Sequence, residues 1–342
     1  MIAASPRCAT AAGLTVYVIR SAPNGDTMEP KLDPEAAKQV SETPPRQRFA
    51  HVAMNARFEM TIACDRAEFA RQASQAAFHE LTQTEESLTY FSPASDISRI
   101  NRLQPGEWAR IDERTMACLQ VAARIHRETD GAFDPTIRGI LEAWKPRGRK
   151  ETVEPTPETL AAARERTGMH LVVVDEDRYA VGVKVKGVKL DLGAIGKGFG
   201  LDRMGEVLRE WELDRAMCHG AWSTALALKA PLDQAGWPMA IGDSDGTTME
   251  TVCLAGRAIS RSGQEFGTHI FDPRTGRPAD GKVGAWSIAT TGAEADALST
   301  AFLVMSVEEI EAYCAKHRGH GALLLIEKDK ERKILRFNWP TT

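Results

Sequence analysis

The sequence predicts an α+β fold, in which helices are interleaved with strands that pair in antiparallel fashion. Segments with apolar residues at helical spacing alternate with short runs of β-type alternation along most of the chain. These segments show no regular strand–helix–strand period, which a parallel sheet would require. The chain has 342 residues, of which 43% are hydrophobic, and this is enough for one large domain or two ordinary ones.

The first 48 residues are less regular than the rest. They contain MEPKLDPEAAKQVSETPPRQ, which carries proline and glutamate, and we predict that residues 1–48 form a loosely structured N-terminal extension. Residues 49–342 are then the folded domain. No basic segment precedes the short apolar stretch near the N-terminus, and no apolar segment precedes Cys8. We therefore expect neither a secretory signal nor a lipid-anchor signal, and we predict a cytoplasmic location unless the start site is misassigned.

The elements of the predicted domain follow from residue 49 onward. Residues 49–64 show β-type alternation and predict one strand, and Asp65 marks the start of a helix. Proline near the start and glycine at the end delimit a short helix at 155–168. The remaining elements are a helix at 112–131, strands within 170–190, a glycine turn and helix at 190–211, a β-rich region at 215–291, helices at 293–305 and 307–317, and strands at 321–328 and 333–339.

Composition and charge exclude several classes of function. The formal net charge of −4 leaves no basic stripe for phosphate neutralisation, which argues against a nucleic-acid partner. No apolar run approaches the roughly 18 residues of a membrane-spanning helix, so we predict no transmembrane segment. The six cysteines lie far apart without a C-x-x-C pair, which favours a reducing compartment over a zinc site or a disulfide framework.

One stretch combines glycines with a lysine between a predicted strand and a predicted helix. In LDLGAIGKGFGLD, residues 190–202, four glycines surround Lys197. A glycine turn that leads into a helix collects backbone N–H groups that can hold an anion. The spacing matches neither G-x-G-x-x-G nor G-x-x-x-x-G-K-[ST]. The stretch therefore predicts a phosphate-binding turn of another design.

The segment GAEADALSTAF places a carboxylate and a hydroxyl on one side of a predicted helix. Asp296 and Thr300 are four residues apart, so their oxygens point in the same direction. Such oxygens are hard ligands that suit Mg²⁺ or Ca²⁺. Alternatively, Asp296 complements the N-terminus of its own helix and Thr300 bonds back to a carbonyl. These residues alone leave both interpretations open.

Two further segments contain residues that could meet a ligand. His269 in THIFDPRTGRPAD precedes a turn and has the side chain best suited to proton transfer near neutral pH, although a structural role is the alternative. In DGAFDPTIRGILEAW, Gly131 and Pro135 fix the backbone around Phe133. Phe133 could cover an aromatic ligand or belong to the core.

Six segments, taken in order, resemble motifs of the ApbE family, the FAD:protein FMN transferases. They are MNARFEM, YFSPASDISRIN, GAFDPTI, LDLGAIGKGFGLD, SG…HIFDPRTG and EADALSTAF. Each motif alone has little specificity, but six in the order and spacing of the family are highly specific. The resemblance covers roughly residues 50 to 340. It implies a T-fold-related α+β architecture of mixed sheets with packed helices in a single compact unit.

The resemblance also implies a reaction. Members of this family bind FAD with Mg²⁺ and transfer FMN to a Ser or Thr hydroxyl of an acceptor protein, releasing AMP. The alternatives are an FAD pyrophosphatase, which yields FMN and AMP with water as acceptor, and a non-catalytic FAD-binding homologue. A dinucleotide-dependent oxidoreductase is disfavoured because no G-x-G-x-x-G follows a predicted strand.

The resemblance assigns roles to individual residues. Asp296 and Thr300 match metal-binding positions, together with the backbone carbonyl of Ala194, and Lys197 is expected against the phosphates of FAD. His269 is expected to be the catalytic base for the acceptor hydroxyl. The remaining expected cofactor contacts are Met54, Phe91, Ala132, Phe133, Asp134 and Asp191.

The chain departs from the family pattern in three places. Asn55 and Ala56 follow Met54, where the family has Gly and Thr, and Phe91 stands where Tyr is usual. In CHGAWSTALAL, Ala221 and Trp222 replace a glycine at the end of a strand. We expect Trp222 to lie close to the flavin pocket, where it would reshape the pocket or add a stacking surface.

Overall fold

The computed structural model describes residues 17–19, 44–145, 152–242, 247–263, 270–328 and 331–340. Its strands are β1 (Tyr17–Ile19), β2 (Arg46–Ala53), β3 (Ala56–Ala63), β4 (Trp108–Arg110), β5 (Val172–Asp175), β6 (Ala180–Val183), β7 (Ala216–Gly220), β8 (Thr224–Ala227), β9 (Trp237–Gly242), β10 (Thr248–Leu254), β11 (Arg257–Gly263), β12 (Phe271–Asp272), β13 (Arg277–Pro278), β14 (Gly284–Ala289), β15 (Gly321–Lys328) and β16 (Glu331–Phe337). The largest sheet is antiparallel, in the order β16-β15-β14-β11-β8-β7-β3-β2. Smaller sheets contain β1-β9-β10, β4-β6-β5 and β12-β13, and β1 is parallel to β9.

The helices are interleaved with these strands along the chain. They are α1 (Ala67–Leu88), α2 (Asp96–Ile100), α3 (Glu113–Glu128), α4 (Arg138–Trp144), α5 (Pro157–Arg164), α6 (Gly196–Glu210), α7 (Gly292–Val304) and α8 (Val307–Lys316). The main hydrophobic core lies where α1, α3, α6 and α7 pack together and against the large sheet. A second core, which contains Trp237 and Trp286, joins that sheet to β9 and β10. The predicted α+β class is confirmed.

Strand β11 shows how alternation in the sequence separates the two cores. Ala258 belongs to the main core, whereas Ile259 belongs to the second core. Successive side chains of a strand point to opposite faces. Ser260 and Ser262 therefore share the side of Ala258, and both form hydrogen bonds to residues of α7.

Helix α7 is buried along almost its whole length, so both of its ends need polar partners inside the protein. Thr291 and Glu294 form a reciprocal capping box at its N-terminus. At its C-terminus, the buried Lys282 ammonium donates to the carbonyl oxygens of Leu303 and Met305. Burial lowers the pKa of Lys282. A cation at this end complements the helix dipole.

Helices α6 and α7 cross at two glycines that permit backbone contact. A Cβ added to Gly198 would lie 2.0 Å from the carbonyl oxygen of Gly292, and one added to Gly292 would lie 2.4 Å from that of Gly198. Asp296 of α7 accepts from the Gly198 N–H at 3.0 Å. In return, Asp202 of α6 accepts from the N–H groups of Gly292 at 2.6 Å and Ala293 at 2.8 Å. Each helix thus supplies a carboxylate to the first turn of the other.

Two strand predictions are wrong in detail. Residues 49–64 form a hairpin rather than one strand, because Met54 and Asn55 make a two-residue turn with φ of 51° and 54°. Both values lie in the left-handed region that type I′ hairpin turns require, and Asn is among the residues that tolerate it. The strand expected up to residue 190 ends at Val183, whereas the helices expected at 293–305 and 307–317 lie within one residue of α7 and α8.

The N-terminal part differs from expectation at two points. The boundary predicted between residues 48 and 49 falls inside β2, and β1 within the predicted extension pairs with β9. The cysteine spacing favoured a reducing compartment over a disulfide framework. Cys64, Cys118, Cys218 and Cys314 are free, whereas Cys253 is disulfide-bonded. Among the helices of the described residues, none has the length and apolar character that crossing a membrane requires.

Candidate functional site

Two adjoining cavities open beside the N-terminus of α6. The larger has a volume of about 420 Å³, the smaller about 190 Å³, and both are lined by Asp191, Gly193 and Lys197. The larger cavity also contains residues of α7, β11 and the segment 132–134, and the smaller contains the β2–β3 turn and the end of α1. Among the predicted site residues, Ala132, Phe133, Asp134, Ala194, Asp296 and Thr300 line the larger cavity, and Met54 and Phe91 line the smaller.

The predicted phosphate-binding turn leads into α6, as expected. Helix α6 begins at Gly196 without a side-chain cap from the preceding residue. The Lys197 ammonium lies 3.4 Å from the carbonyl oxygen of Gly193 and 3.6 Å from Asp296 Oδ2. The lysine is therefore held beside the first turn of a helix, where its charge and the helix dipole both favour an anion.

Asp296 is surrounded by polar hydrogen atoms from three elements. Its Oδ2 accepts from the Gly198 N–H at 3.0 Å, and its Oδ1 lies 3.3 Å from the hydroxyls of both Thr224 and Ser260. Those two hydroxyls are 2.9 Å apart and fully buried. These contacts join the carboxylate to α6, β8 and β11. The alternative that Asp296 complements the N-terminus of α7 stays a prediction.

Thr300 continues this hydroxyl cluster toward the cavity. Its Oγ1 lies 3.1 Å from Ser262 Oγ, which in turn lies 2.8 Å from Ser299 Oγ. Ser260 and Ser262 were placed in the β-rich region predicted at 215–291, and neither was assigned a role. Both lie in strand β11, and the two-residue spacing of these serines is the signal that could have placed both on one face.

These oxygens fit a hard divalent cation. Asp296 and Thr300 face one cavity and offer a carboxylate and a hydroxyl. Within the described residues, no cluster of three or more His, Cys, Asp or Glu side chains is suited to a metal. A cation here would therefore rely on one protein carboxylate and on oxygens from the substrate, and Mg²⁺ is commonly bound in this way.

A second buried carboxylate, that of Asp134, also lines the larger cavity. Asp134 Oδ1 accepts from the backbone N–H of Thr136 at 2.8 Å and from its hydroxyl at 2.6 Å. Its Oδ2 lies 3.3 Å from Nδ1 of His126, which is also 3.1 Å from the carbonyl oxygen of Phe133. Burial raises the pKa of Asp134. Phe133 belongs to the main core and also lines the larger cavity. Its place in the core is thus confirmed, and its contact with an aromatic ligand stays a prediction.

The smaller cavity is mainly aromatic and apolar on one side. Met54, Leu88, Tyr90 and Phe91 contribute to it, and the Phe91 side chain is 74% exposed. Arg138, which sequence reasoning did not select, donates to the Tyr90 hydroxyl. Its position within the motif GAFDPTIRG gave no indication of this contact.

Two residues of the β7–β8 turn line the larger cavity, but the tryptophan of this turn does not. Ala221 and Ser223 are among the lining residues, whereas Trp222 is not. The Trp222 ring packs 5.5 Å from the ring of His219. Ala221 and Trp222 have φ of 55° and 60°, values that favour glycine and so explain why the family pattern has glycine in this turn.

The predicted base, His269, lies outside the described residues. The residues that follow it, Ile270 and Phe271, line the larger cavity. The role of His269 stays a prediction.

The chain matches the model of the ApbE family over residues 54–324. A relative from Treponema pallidum, an FAD:protein FMN transferase, is 29% identical over 286 residues, which cover 76% of this chain and 78% of the relative. The crystal structure of the ApbE protein from Thermotoga maritima superimposes with a TM-score of 0.73 at 25% identity, covering 85% of this chain and 97% of that one. The apo flavinyl transferase ApbE from Pseudomonas stutzeri gives a TM-score of 0.77 at 22% identity, with 87% and 99% covered.

Proposed function

The chain belongs to the ApbE family, and from this premise we propose that it transfers FMN from FAD to a Ser or Thr hydroxyl of an acceptor protein and releases AMP. The observation that carries the proposal is the convergence of Asp296, Thr300 and Lys197 on one cavity beside the first turn of α6. Curated relatives with the name FAD:protein FMN transferase support the same reaction.

The chemistry matches the groups around the larger cavity. The acceptor oxygen attacks the phosphorus of the FMN half, the bond to the bridging pyrophosphate oxygen breaks, AMP leaves, and the hydroxyl proton passes to a base. Negative charge grows on the phosphate oxygens during this step, so fixed positive charge lowers its barrier. Lys197 and the N-terminal dipole of α6 supply such charge from the protein.

The other site residues are proposed to have the roles that the resemblance to the family implies. Asp296, Thr300 and the carbonyl of Ala194 would hold Mg²⁺, which when bound neutralises phosphate oxygens. Lys197 would contact the pyrophosphate, and His269 would accept the proton. The expected contacts with the rest of FAD are Met54, Phe91, Ala132, Phe133, Asp134 and Asp191.

The deciding experiment follows AMP release and acceptor mass together. Purified protein is incubated with FAD, Mg²⁺ and a candidate acceptor protein that carries a Ser or Thr flavinylation site, and a matched acceptor with Ala at that site is the control. AMP release with a mass gain of one FMN moiety, seen only on the first acceptor and abolished by EDTA, supports the transferase. AMP release without a mass gain points to FAD pyrophosphatase activity, and bound FAD without AMP points to a non-catalytic binding protein.

The acceptor is proposed by its chemistry alone, as a protein with an accessible Ser or Thr at its modification site. The cytoplasmic location expected from the N-terminal sequence also stays a prediction. Cell fractionation with detection of this chain in the soluble cytoplasmic and periplasmic fractions tests it.

A further inference from the structure

Arg138, the first residue of α4, contacts Tyr90, which lines the smaller cavity, and Asp191, which lines both cavities. One of its nitrogens donates to the Tyr90 hydroxyl at 2.6 Å, and another lies 3.2 Å from Asp191 Oδ2. Its guanidinium carbon lies 4.0 Å from the centroid of the Tyr90 ring. Arg138 therefore contacts both the face and the hydroxyl of one aromatic residue while pairing with a carboxylate.

Asp191 carries this contact onward to the phosphate-binding turn. Its Oδ1 accepts from the Gly193 N–H at 2.9 Å, and the Gly193 carbonyl accepts from Lys197 Nζ at 3.4 Å. A continuous chain of polar contacts thus connects Tyr90, in the smaller cavity, with Lys197, which lines both cavities.

The charge of Arg138 is already compensated by the protein. Besides Asp191, it lies 3.5 Å from Glu142, one turn along α4. A guanidinium between two carboxylates and an aromatic ring has its donors in use, so it is poorly suited to bind a phosphate itself. Its contacts are instead suited to fixing the orientation of neighbouring side chains.

Tyr90 is part of an aromatic surface at the mouth of the smaller cavity. Its ring lies 4.3 Å from the ring of Phe91, with an angle of 51° between the two planes. Phe91 is largely exposed, so part of this surface is accessible to a planar ligand. Holding Tyr90 in one orientation would reduce the ordering that such a ligand must impose on binding.

We propose that Arg138 is a positioning residue for FAD, which fixes Tyr90 as a wall of the smaller cavity and Asp191 at its boundary. In this arrangement one ring system of FAD lies against Tyr90 and Phe91 while the pyrophosphate reaches Lys197. The inference rests on the proposed function for the identity of the ligand. It assigns Arg138 an effect on FAD affinity and none on the transfer step.

Four variants test this assignment. Arg138→Ala removes every contact, Arg138→Lys keeps a charge near Asp191 but loses the planar group, and Tyr90→Phe keeps the ring but loses the hydroxyl. Glu142→Gln is the control, because Glu142 touches neither Tyr90 nor Asp191, lies 3.5 Å from Arg138 and has Lys189 as a closer partner. FAD dissociation constants are measured by flavin fluorescence, together with KM, kcat and thermal melting.

We expect the variants to change the Kd and KM for FAD but not kcat. Arg138→Ala raises the Kd and KM for FAD about tenfold, as loss of a hydrogen bond to a charged group predicts, and leaves kcat within about twofold. Arg138→Lys and Tyr90→Phe give smaller increases, and Glu142→Gln changes neither constant. If Arg138→Ala does not fold, Arg138→Lys and Tyr90→Phe decide the matter.

Two results would overturn the assignment. One is wild-type FAD affinity in all three variants of Arg138 and Tyr90, and the other is an equal loss of affinity in Glu142→Gln, which would indicate a general effect on α4. Failure of the proposed function is a separate result, since it shows as absence of AMP release and FMN transfer by the wild-type protein. The Kd measurement needs no turnover.

Discussion

Asp296 is buried and Asp202 is half-buried, and both lie at the same helix crossing. Asp296 accepts one backbone N–H group from α6, and Asp202 accepts two from α7. Their remaining surroundings differ. Asp202 has the carboxylates of Glu206 and Glu294 nearby, and burial raises its pKa to about 7. Asp296 has two hydroxyls, the Lys197 ammonium and a cavity in front of it.

The difference shows that helix capping alone does not identify a functional carboxylate. Both residues satisfy N–H groups at the beginning of a buried helix, a purely structural task. Only Asp296 combines this with compensating donors and an opening toward a ligand. We therefore expect substitutions of Asp296 to affect mainly turnover and those of Asp202 to affect mainly stability.

The largest expected effect is that of Asp296→Ala on turnover. Loss of the carboxylate removes the proposed metal ligand, and we expect AMP release to fall about a thousandfold or more. The melting temperature should fall by only a few degrees, because the variant loses the Gly198 N–H bond and two longer hydroxyl contacts, while Thr224 and Ser260 still bond to each other. AMP release and thermal melting are measured on the same preparation.

Asp202→Asn serves as the matched control for this prediction. It should retain turnover within about threefold of the wild type when assayed well below its melting temperature. Unchanged activity in Asp296→Ala, or an equal loss of activity in both variants, would remove the functional distinction between the two aspartates.

The next largest effect concerns the close approach of α6 and α7 at Gly198 and Gly292, beside both aspartates. In Gly198→Ala the new methyl group would meet the backbone of α7, so the helices must separate, and we expect a loss of about 3 kcal/mol in the free energy of unfolding. Gly196→Ala is the control, because a Cβ at that position meets nothing within 4 Å. Urea denaturation measures both, and equal stability of the two variants would show that the crossing is not tightly packed.

A more gradual effect, spread over several pH units, is expected from the titration of Asp202. Its folded-state pKa of about 7 lies above the unfolded value of about 3.9, so the folded protein binds more protons between these values. Stability from this group is therefore greatest at low pH and falls by at most about 1.4 kcal/mol per unit as the pH rises from about 4 to 7.

Denaturation of wild-type protein and Asp202→Asn at pH 5, 6, 7 and 8 tests this titration. The free energy of unfolding of the wild type minus that of Asp202→Asn should fall as the pH rises to about 7 and level off above it. A value of wild type minus variant that rises with pH would mean that the two backbone donors outweigh burial and keep Asp202 ionised.

The smallest expected effect is that of Ser260→Ala, which removes one hydroxyl from Asp296 and leaves the hydroxyl of Thr224 in place. We expect AMP release to fall about tenfold at limiting Mg²⁺ and to recover as Mg²⁺ is raised, since groups that orient a ligand act mainly on metal affinity. Ser87→Ala, which changes an α1 serine bonded to the Gln83 carbonyl, is the control. A loss that high Mg²⁺ does not correct would argue against orientation of a metal ligand.

Local patterns in the sequence predicted much of the fold and of the candidate site. The spacing of Asp296 and Thr300 placed both on one side of α7, and the glycine turn before α6 was recognised from its composition. Residues that face each other only in three dimensions were not found. The pairing of Asp202 with α7 and the contact of Arg138 with Tyr90 join segments that are 90 and 48 residues apart, respectively.

The turns were the other source of error. Nothing in the alternation of residues 49–64 indicated that Met54 and Asn55 would adopt left-handed backbone conformations, because Asn is the only residue of the pair that is typical of them. Trp222 was expected close to the flavin pocket from its place in the family pattern; its neighbours Ala221 and Ser223 line the larger cavity, and its effect on a flavin stays a prediction.

The burial of α7 has a consequence for hydrogen exchange. Thr291 with Glu294, Asp202 and Lys282 satisfy the ends of α7, and almost all of its side chains are buried. Although Asp296 and Thr300 face the cavity, the amides of α7 therefore have little local access to solvent. The amides of α7 beyond its first turn should exchange only through global unfolding, with protection equal to the full stability of the domain. The wall that bears Asp296 and Thr300 would then keep its shape through smaller fluctuations, while the exposed turn at Met54 and Asn55 exchanges freely.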